Sequence, residues 1–282
     1  MEIKNFADVA AGYKVIFFDS YGVLRNHRGL IPGAVECVAR LREEGKHIRV
    51  LTNNAARSSR AASRRLAHYG LHSIPPEEII TSGATTRQFL EQKIRSGKVA
   101  YLGTPAAAAY IIGAGLEAVP VAEVNIEDAS DIKAIAFLDD EGYDMNTDVN
   151  SVINLLRHCR VPVVVANTDL LYPVAANEVA LATGSIARLA EYVLGRKFVK
   201  FGKPAMQMFQ LGLDSVSRDM SNVNLSDILM VGDTLHTDIL GGNSFGIDTA
   251  LVLSGNTRQE SVENEIISSG IFPDYVCSSI GE

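Results

Sequence analysis

Tryptophan is absent from this 282-residue chain, and cysteine occurs only three times. Cys37, Cys159 and Cys277 are far apart, odd in number and free of any C-x-x-C spacing. That pattern argues against a disulfide framework or a cysteine zinc site and for free thiols in a reducing compartment. No apolar run approaches the about 18 residues of a membrane span. The segment from Met1 to Lys14 mixes Glu2, Lys4 and Asp8 with small residues, so it has no signal-peptide core. Positive charge is also in deficit, with 26 Lys and Arg against 33 Asp and Glu, a formal net charge of -7. Nucleic acid and anionic membranes do not attract such a surface, so neither is expected as a partner. A small phosphorylated metabolite needs only a local cationic pocket and stays open. The compartment expected is the cytoplasm.

What is present is an ordinary globular composition, 47% hydrophobic and 21% charged, long enough for two domains. Short β-rich runs alternate with helical stretches, the pattern of a parallel α/β sheet. Strand Val15–Phe18 leads to a helix from about Gly33 to Glu44, with Pro32 before it and Gly45 at its end. Strand Ile48–Leu51, a helix over about 58–68, the apolar pair Ile79-Ile80 and a turn at Thr81-Ser82-Gly83 follow. The pattern restarts near Lys98 with strands at 99–102, 134–138 and 163–166 and helices at 106–112 and 152–158. After Gly184 come a helix to about Leu194 and further strands ahead of Lys203, at Ile228–Val231 and at Val252. This order predicts a split core, residues 1–84 and 184–282, interrupted by an inserted α/β domain over 85–183.

Four apolar runs each end in a reactive side chain: Asp19, Thr52, Lys203 and Asp233. Ligands of open α/β sheets sit at the carboxyl ends of the strands, so the four are expected to converge on one site. Asp19, followed by Gly22, is a candidate carboxylate nucleophile. Asp233 and Asp238, five positions apart across a strand-to-helix turn, can both reach a hard cation such as Mg²⁺. Lys203 supplies a point charge for phosphate. Thr52-Asn53-Asn54 supplies a hydroxyl and backbone N–H groups leading toward a helix. Each motif alone also reads as an ordinary turn, cap or surface group; their combination suits phosphoryl transfer.

Together Asp19-Ser20-Tyr21-Gly22-Val23, Thr52-Asn53, Gly202-Lys203-Pro204 and Gly232-Asp233…Thr237-Asp238 resemble the haloacid dehalogenase (HAD) superfamily in its phosphatase branch. The last motif, the position of the insertion, and Asn167-x-Asp169 followed by Pro173 resemble the p-nitrophenyl phosphatase and pyridoxal phosphatase subgroup, subfamily IIA. The resemblance implies a Rossmann-like three-layer core with a parallel sheet and an inserted α/β cap. It implies that Asp19 attacks phosphorus while Thr52 and Lys203 bind the transferring group. Asp19, Asp233, Asp238 and the backbone carbonyl of Tyr21 would hold Mg²⁺. Asn53 and Asn54 join the phosphate cradle, and Asn167 and Asp169 fall on the cap loop that usually faces the leaving group. Thr168 stands where the family commonly has Pro. Caps of this type often mediate homodimers in that family. The substrate implied is a small phosphomonoester, with a sugar phosphate among the candidates.

Tyr21 departs from the pattern. HAD phosphatases usually carry there a second Asp that serves as acid for the leaving group and base for water. Tyrosine, with an ordinary pKa of about 10, donates a proton near neutrality but is rarely a ready base. Slow hydrolysis of an aspartyl-phosphate is therefore expected unless His27 or His236 substitutes. Two other readings follow from the same residue. One is a phosphate-ligand-binding or regulatory protein with weak turnover. The other is a metal-free 2-haloacid dehalogenase-like hydrolase, opposed by the retained Asp233 and Asp238, which would repel Asp19 without a cation.

Overall fold

A computed structural model describes residues 2–175 and 178–282. Two compact units divide the chain: Met1–Thr52, Ser59–Ile80 and Lys203–Glu282 form the first, and Asn53–Ser58 with Thr81–Gly202 the second.

In the first unit Val15–Phe18 pairs in parallel with Ile228–Val231 on one side and with His47–Val50 on the other. The sheet continues outward through Asp248–Val252 and Tyr275–Cys277, and on the opposite edge through Ile79–Thr81. Ile16 and Phe18 enter one hydrophobic cluster while Val15 and Phe17 enter another, and all four are buried. Successive strand residues point to opposite faces, so a strand covered on both sides must be apolar throughout. That is why the run Val-Ile-Phe-Phe shows no alternation. Helices Phe6–Ala11 and Ala34–Glu43 supply residues to the first cluster, and Met206–Val216 to the second.

The second unit has its own parallel sheet, ordered Val199–Lys200, Val163–Val165, Ile132–Phe137, Lys98–Leu102, Glu117–Pro120. An antiparallel hairpin, Leu171–Ala175 with Glu178–Leu181, was not foreseen from the sequence. Pro173 lies in its first strand, with its side chain outside the described part of the molecule.

Three expectations change. The run before Lys203 is not a strand of the first sheet, because Val199–Lys200 pairs with Val164 and Val165 at the edge of the second. Helix Thr183–Leu194 buries Ile186, Ala187 and Ala190 in that same second core. Residues 184–202 therefore group with the second unit rather than with the flanking 203–282. Finally, Thr81-Ser82-Gly83 is no turn: the Thr81 hydroxyl accepts from Ala84 N and caps a helix over Ser82–Lys93. This helix is poorly amphipathic, and Gly83 is what lets the Tyr110 ring lie against it, since a Cβ there would meet Tyr110 Cε2 at 2.2 Å.

Candidate active site

Adjacent parallel strands put three side chains at neighbouring carboxyl ends of the first unit's sheet. Asp19 follows Val15–Phe18, Asp233 follows Ile228–Gly232, and Thr52 ends His47–Thr52. Asp19 N donates to Val231 O at 2.8 Å, which locks the first two levels together. Gly22, at φ +85°, turns the chain away directly behind Asp19. No other residue fits there, because a Cβ on Gly22 would lie 2.0 Å from Asp233 Oδ2, and one on Gly255 only 1.9 Å from the same oxygen.

Lys203, fully buried, reaches this site at the start of the Lys203–Glu282 stretch. Its Nζ lies 2.5 Å from Asp19 Oδ1 and 2.6 Å from Asp238 Oδ1. Burial alone would lower the lysine's pKa, but Asp19 and Asp238 outweigh it and hold the ammonium charged. Asp233 anchors a loop: its Oδ2 accepts from Asn256 N at 2.7 Å and its Oδ1 from the Thr234 hydroxyl at 2.9 Å. Its backbone carbonyl accepts from the Thr257 hydroxyl at 2.7 Å. Burial, then the charges of Asp19 and Asp238, push the Asp233 carboxyl well above its usual range. Asp238 is raised to about 6, again chiefly by burial and against the opposing pull of Lys203.

Ligand oxygens of Asp19, Asp233 and Asp238 all lie within 4.8 Å of one another. An octahedral Mg²⁺ with bonds of about 2.1 Å spans about 3 Å between adjacent ligands and about 4 Å across the shell. Three buried carboxylates face one ammonium, an excess of negative charge that a divalent cation would neutralise. Asp238 Oδ1 is fully buried and, despite its ion pair with Lys203, has no aligned hydrogen-bond donor among the described residues. The donor set, all hard oxygen, fits Mg²⁺.

Tyr21 is half-buried, its ring under the Arg25 guanidinium at 4.9 Å. Burial raises the phenol's pKa, with Arg25 and Arg65 pulling the other way. His27 and His236 are both solvent-exposed.

The remaining sequence candidates gather within the second unit. Asn53 Nδ2 donates to Asp169 Oδ1 at 2.9 Å and to the Thr168 hydroxyl at 3.2 Å, and Asp169 N donates to Asn167 Oδ1 at 2.9 Å. Asn54 accepts from Arg57 N at 3.2 Å, a local turn bond. Behind Asn167 stands Asp140, legible in the sequence as part of the strand-end cluster Asp139-Asp140-Glu141 but not expected as a site residue. It accepts from Asn167 Nδ2 at 3.3 Å and from both the N–H and the hydroxyl of Thr183 at 2.6 and 2.7 Å. Asn256 and Thr257 were also missed; Ser254-Gly255-Asn256 after a strand was their only signal.

The chain is similar to known hydrolases along most of its length. The family described as Haloacid dehalogenase-like hydrolase matches residues 16–117, and one described as HAD-hydrolase-like matches 200–282. Chronophin of Mus musculus is 30% identical over 98% of this chain and 93% of its own length. A possible sugar phosphatase of the HAD superfamily from Cytophaga hutchinsonii superposes with TM-score 0.95 at 42% identity, covering 100% of this chain and 99% of that one. The p-nitrophenyl phosphatase of Archaeoglobus fulgidus gives TM-score 0.77 at 28% identity, over 95% of this chain and 97% of its own.

Proposed function

This chain belongs to the haloacid dehalogenase-like hydrolases, in their p-nitrophenyl phosphatase-like subfamily IIA, and from that premise we propose that it is a Mg²⁺-dependent phosphatase working through an aspartyl-phosphate on Asp19. The activity is hydrolysis of a small phosphomonoester. The observation that carries the reading is Lys203 clamped between Asp19 and Asp238, with Asp233 alongside.

Asp19, Asp233, Asp238 and the Tyr21 carbonyl would hold the cation. When bound, Mg²⁺ supplies neutralisation of the phosphoryl oxygens' charge. A carboxylate oxygen of Asp19 attacks phosphorus in line with the ester oxygen, the P–O bond to the alcohol breaks, and the alkoxide takes a proton. Lys203 and Thr52 bind the transferring oxygens, and Lys203 keeps Asp19 aimed. Tyr21 holds its proton at neutral pH and would donate it to the leaving alkoxide, the phenol then being restored by a proton from solvent. Water then attacks the phosphoryl group, releasing phosphate and restoring Asp19. Asn53, Asn54, Asn167 and Asp169 are assigned to substrate recognition, with Asn167 oriented by Asp140.

The poor basicity of Tyr21 favours a second reading, a ligand-binding protein in which the first step survives and the second stalls. Incubation with a phosphoester and Mg²⁺, followed by acid quench, decides between them. Steady phosphate release supports the phosphatase; a stoichiometric burst retained on Asp19 supports the stalled form; no release and no label would sink both.

A further inference from the structure

Charge is unevenly spread along this acidic chain. Residues 20–35 and 45–76 contain no Asp or Glu at all, yet include Arg25, Arg28, Lys46, Arg49, Arg60, Arg64 and Arg65. Within the first unit some of these have partners. Arg49 pairs with Asp219, and Lys46 lies 3.7 Å from Glu44. Arg25 and Arg65 differ: among the described residues neither has a carboxylate within ion-pair distance.

Arg25 is held in a defined place. Gly22 reverses the chain, Gly22 N donates to Arg25 O at 2.7 Å, and Arg25 N donates to Ser20 O at 3.1 Å. The backbone of residue 25 thus lies beside the residue next to the nucleophile. Its guanidinium carbon lies 4.9 Å from the centroid of the Tyr21 ring, a cation–π contact. Burial and the nearby Arg65 both work against its charge, while Asp19 is among the groups favouring it. Two guanidiniums within electrostatic reach of one another, partly buried and, among the described residues, without a carboxylate at ion-pair distance, leave positive charge only partly offset by Asp19. Asp19 lies within electrostatic reach of Arg25, so an anion received by Arg25 would share the surroundings of a phosphoryl group held at Asp19.

We propose that the substrate carries a second anionic group, a carboxylate or a further phosphoryl, close to the scissile phosphoester, and that Arg25 in contact with the Tyr21 ring receives it with Arg65 in support. This rests on the phosphatase reading and gives Tyr21 a role as a platform for the cation. A fork of N–H donors matches either anion in bidentate fashion.

The test uses the full chain at fixed free Mg²⁺ and three non-hydrolysable probes measured by titration calorimetry: methylphosphonate, phosphonoacetate and methylenediphosphonate. The expected result is that one of the two dianionic-plus probes binds at least about tenfold tighter than methylphosphonate, and which one does so identifies the second group. Arg25→Gln should cut that ratio at least about fivefold, whereas Arg28→Gln, which removes an equal charge from an exposed position, should keep it. Arg65→Gln gives a second, smaller reduction, so the proposal stays testable if Arg25→Gln does not fold. A ratio near one in the unaltered protein, or a ratio that survives Arg25→Gln, overturns the proposal. Release of phosphate from p-nitrophenyl phosphate is scored separately. Its absence would count against the phosphatase reading while the binding ratio still judges the anion site.

Discussion

Lys203 Nζ sits 2.5 Å from Asp19 Oδ1 and 2.6 Å from Asp238 Oδ1, so one buried ammonium ties the candidate nucleophile to a candidate metal ligand. Removing it leaves two buried carboxylates facing each other, and a buried charge stripped of its partner is costly. Lys203→Met should lower kcat/KM by at least about 10²-fold and reduce thermal stability in metal-free buffer. Lys203→Arg should not restore activity, since a planar fork does not fit a site shaped for a point charge. Steady-state kinetics and a melting curve check both; wild-type rates in either variant contradict the role.

Asp19→Asn should abolish the acid-stable phosphoenzyme while leaving the protein folded. Mass spectrometry of quenched protein reads this directly, and a phosphorylated Asp19→Asn chain would move the nucleophile elsewhere.

Magnesium should stabilise the protein in a pH-dependent way. Burial raises the Asp238 carboxyl to about 6 from an ordinary 3.8. A raised folded pKa means the protonated form is favoured by folding. Its stabilising contribution is present below about pH 4 and is lost as pH climbs through about 6. Metal-free protein should therefore lose this contribution between those values. The cation competes with that proton, so the gain in Tm on adding Mg²⁺ should be several degrees larger near pH 7.5 than near pH 5. Equal gains at both values would argue that Asp238 is no part of the cation site.

Tyr21→Asp should raise the steady-state rate of phosphate release, because it installs a group able to act as both acid and base. General acid–base help is worth about 10²–10⁴ in rate, which bounds the gain. A rate that stays level or falls would show that another group already performs that step.

Gly22→Ala should lose activity without help from any rotamer change. The added methyl would lie 2.0 Å from Asp233 Oδ2, at a backbone φ of +85° that disfavours every side chain. Activity near that of the parent protein would require the loop to have shifted, which a crystal structure of the variant would reveal.

Much of this protein is written in its order of residues. Val15–Phe18 and Ile228–Val231 are apolar at every position because helices cover both faces of their sheet, and this made them recognisable as strands. Asp19, Asp233 and Asp238 were legible for the same reason: a carboxylate directly after such a run must emerge at the strand's carboxyl end. The helix Ser82–Lys93 was not, since its buried residues Gly83, Thr85 and Thr86 give no apolar stripe, and Gly83 is covered by Tyr110 from elsewhere in the chain.

What the chain order could not supply is pairing. That Val199–Lys200 joins Val163–Val165, and not the strand of Asp19, depends on which edge is free once both sheets have formed. The clamp on Lys203, the Asn256 N–H on Asp233 and the support of Asn167 by Asp140 join residues 23 to 184 positions apart. Local propensity carries no information over such separations; only the packed sheets bring these groups within bonding distance.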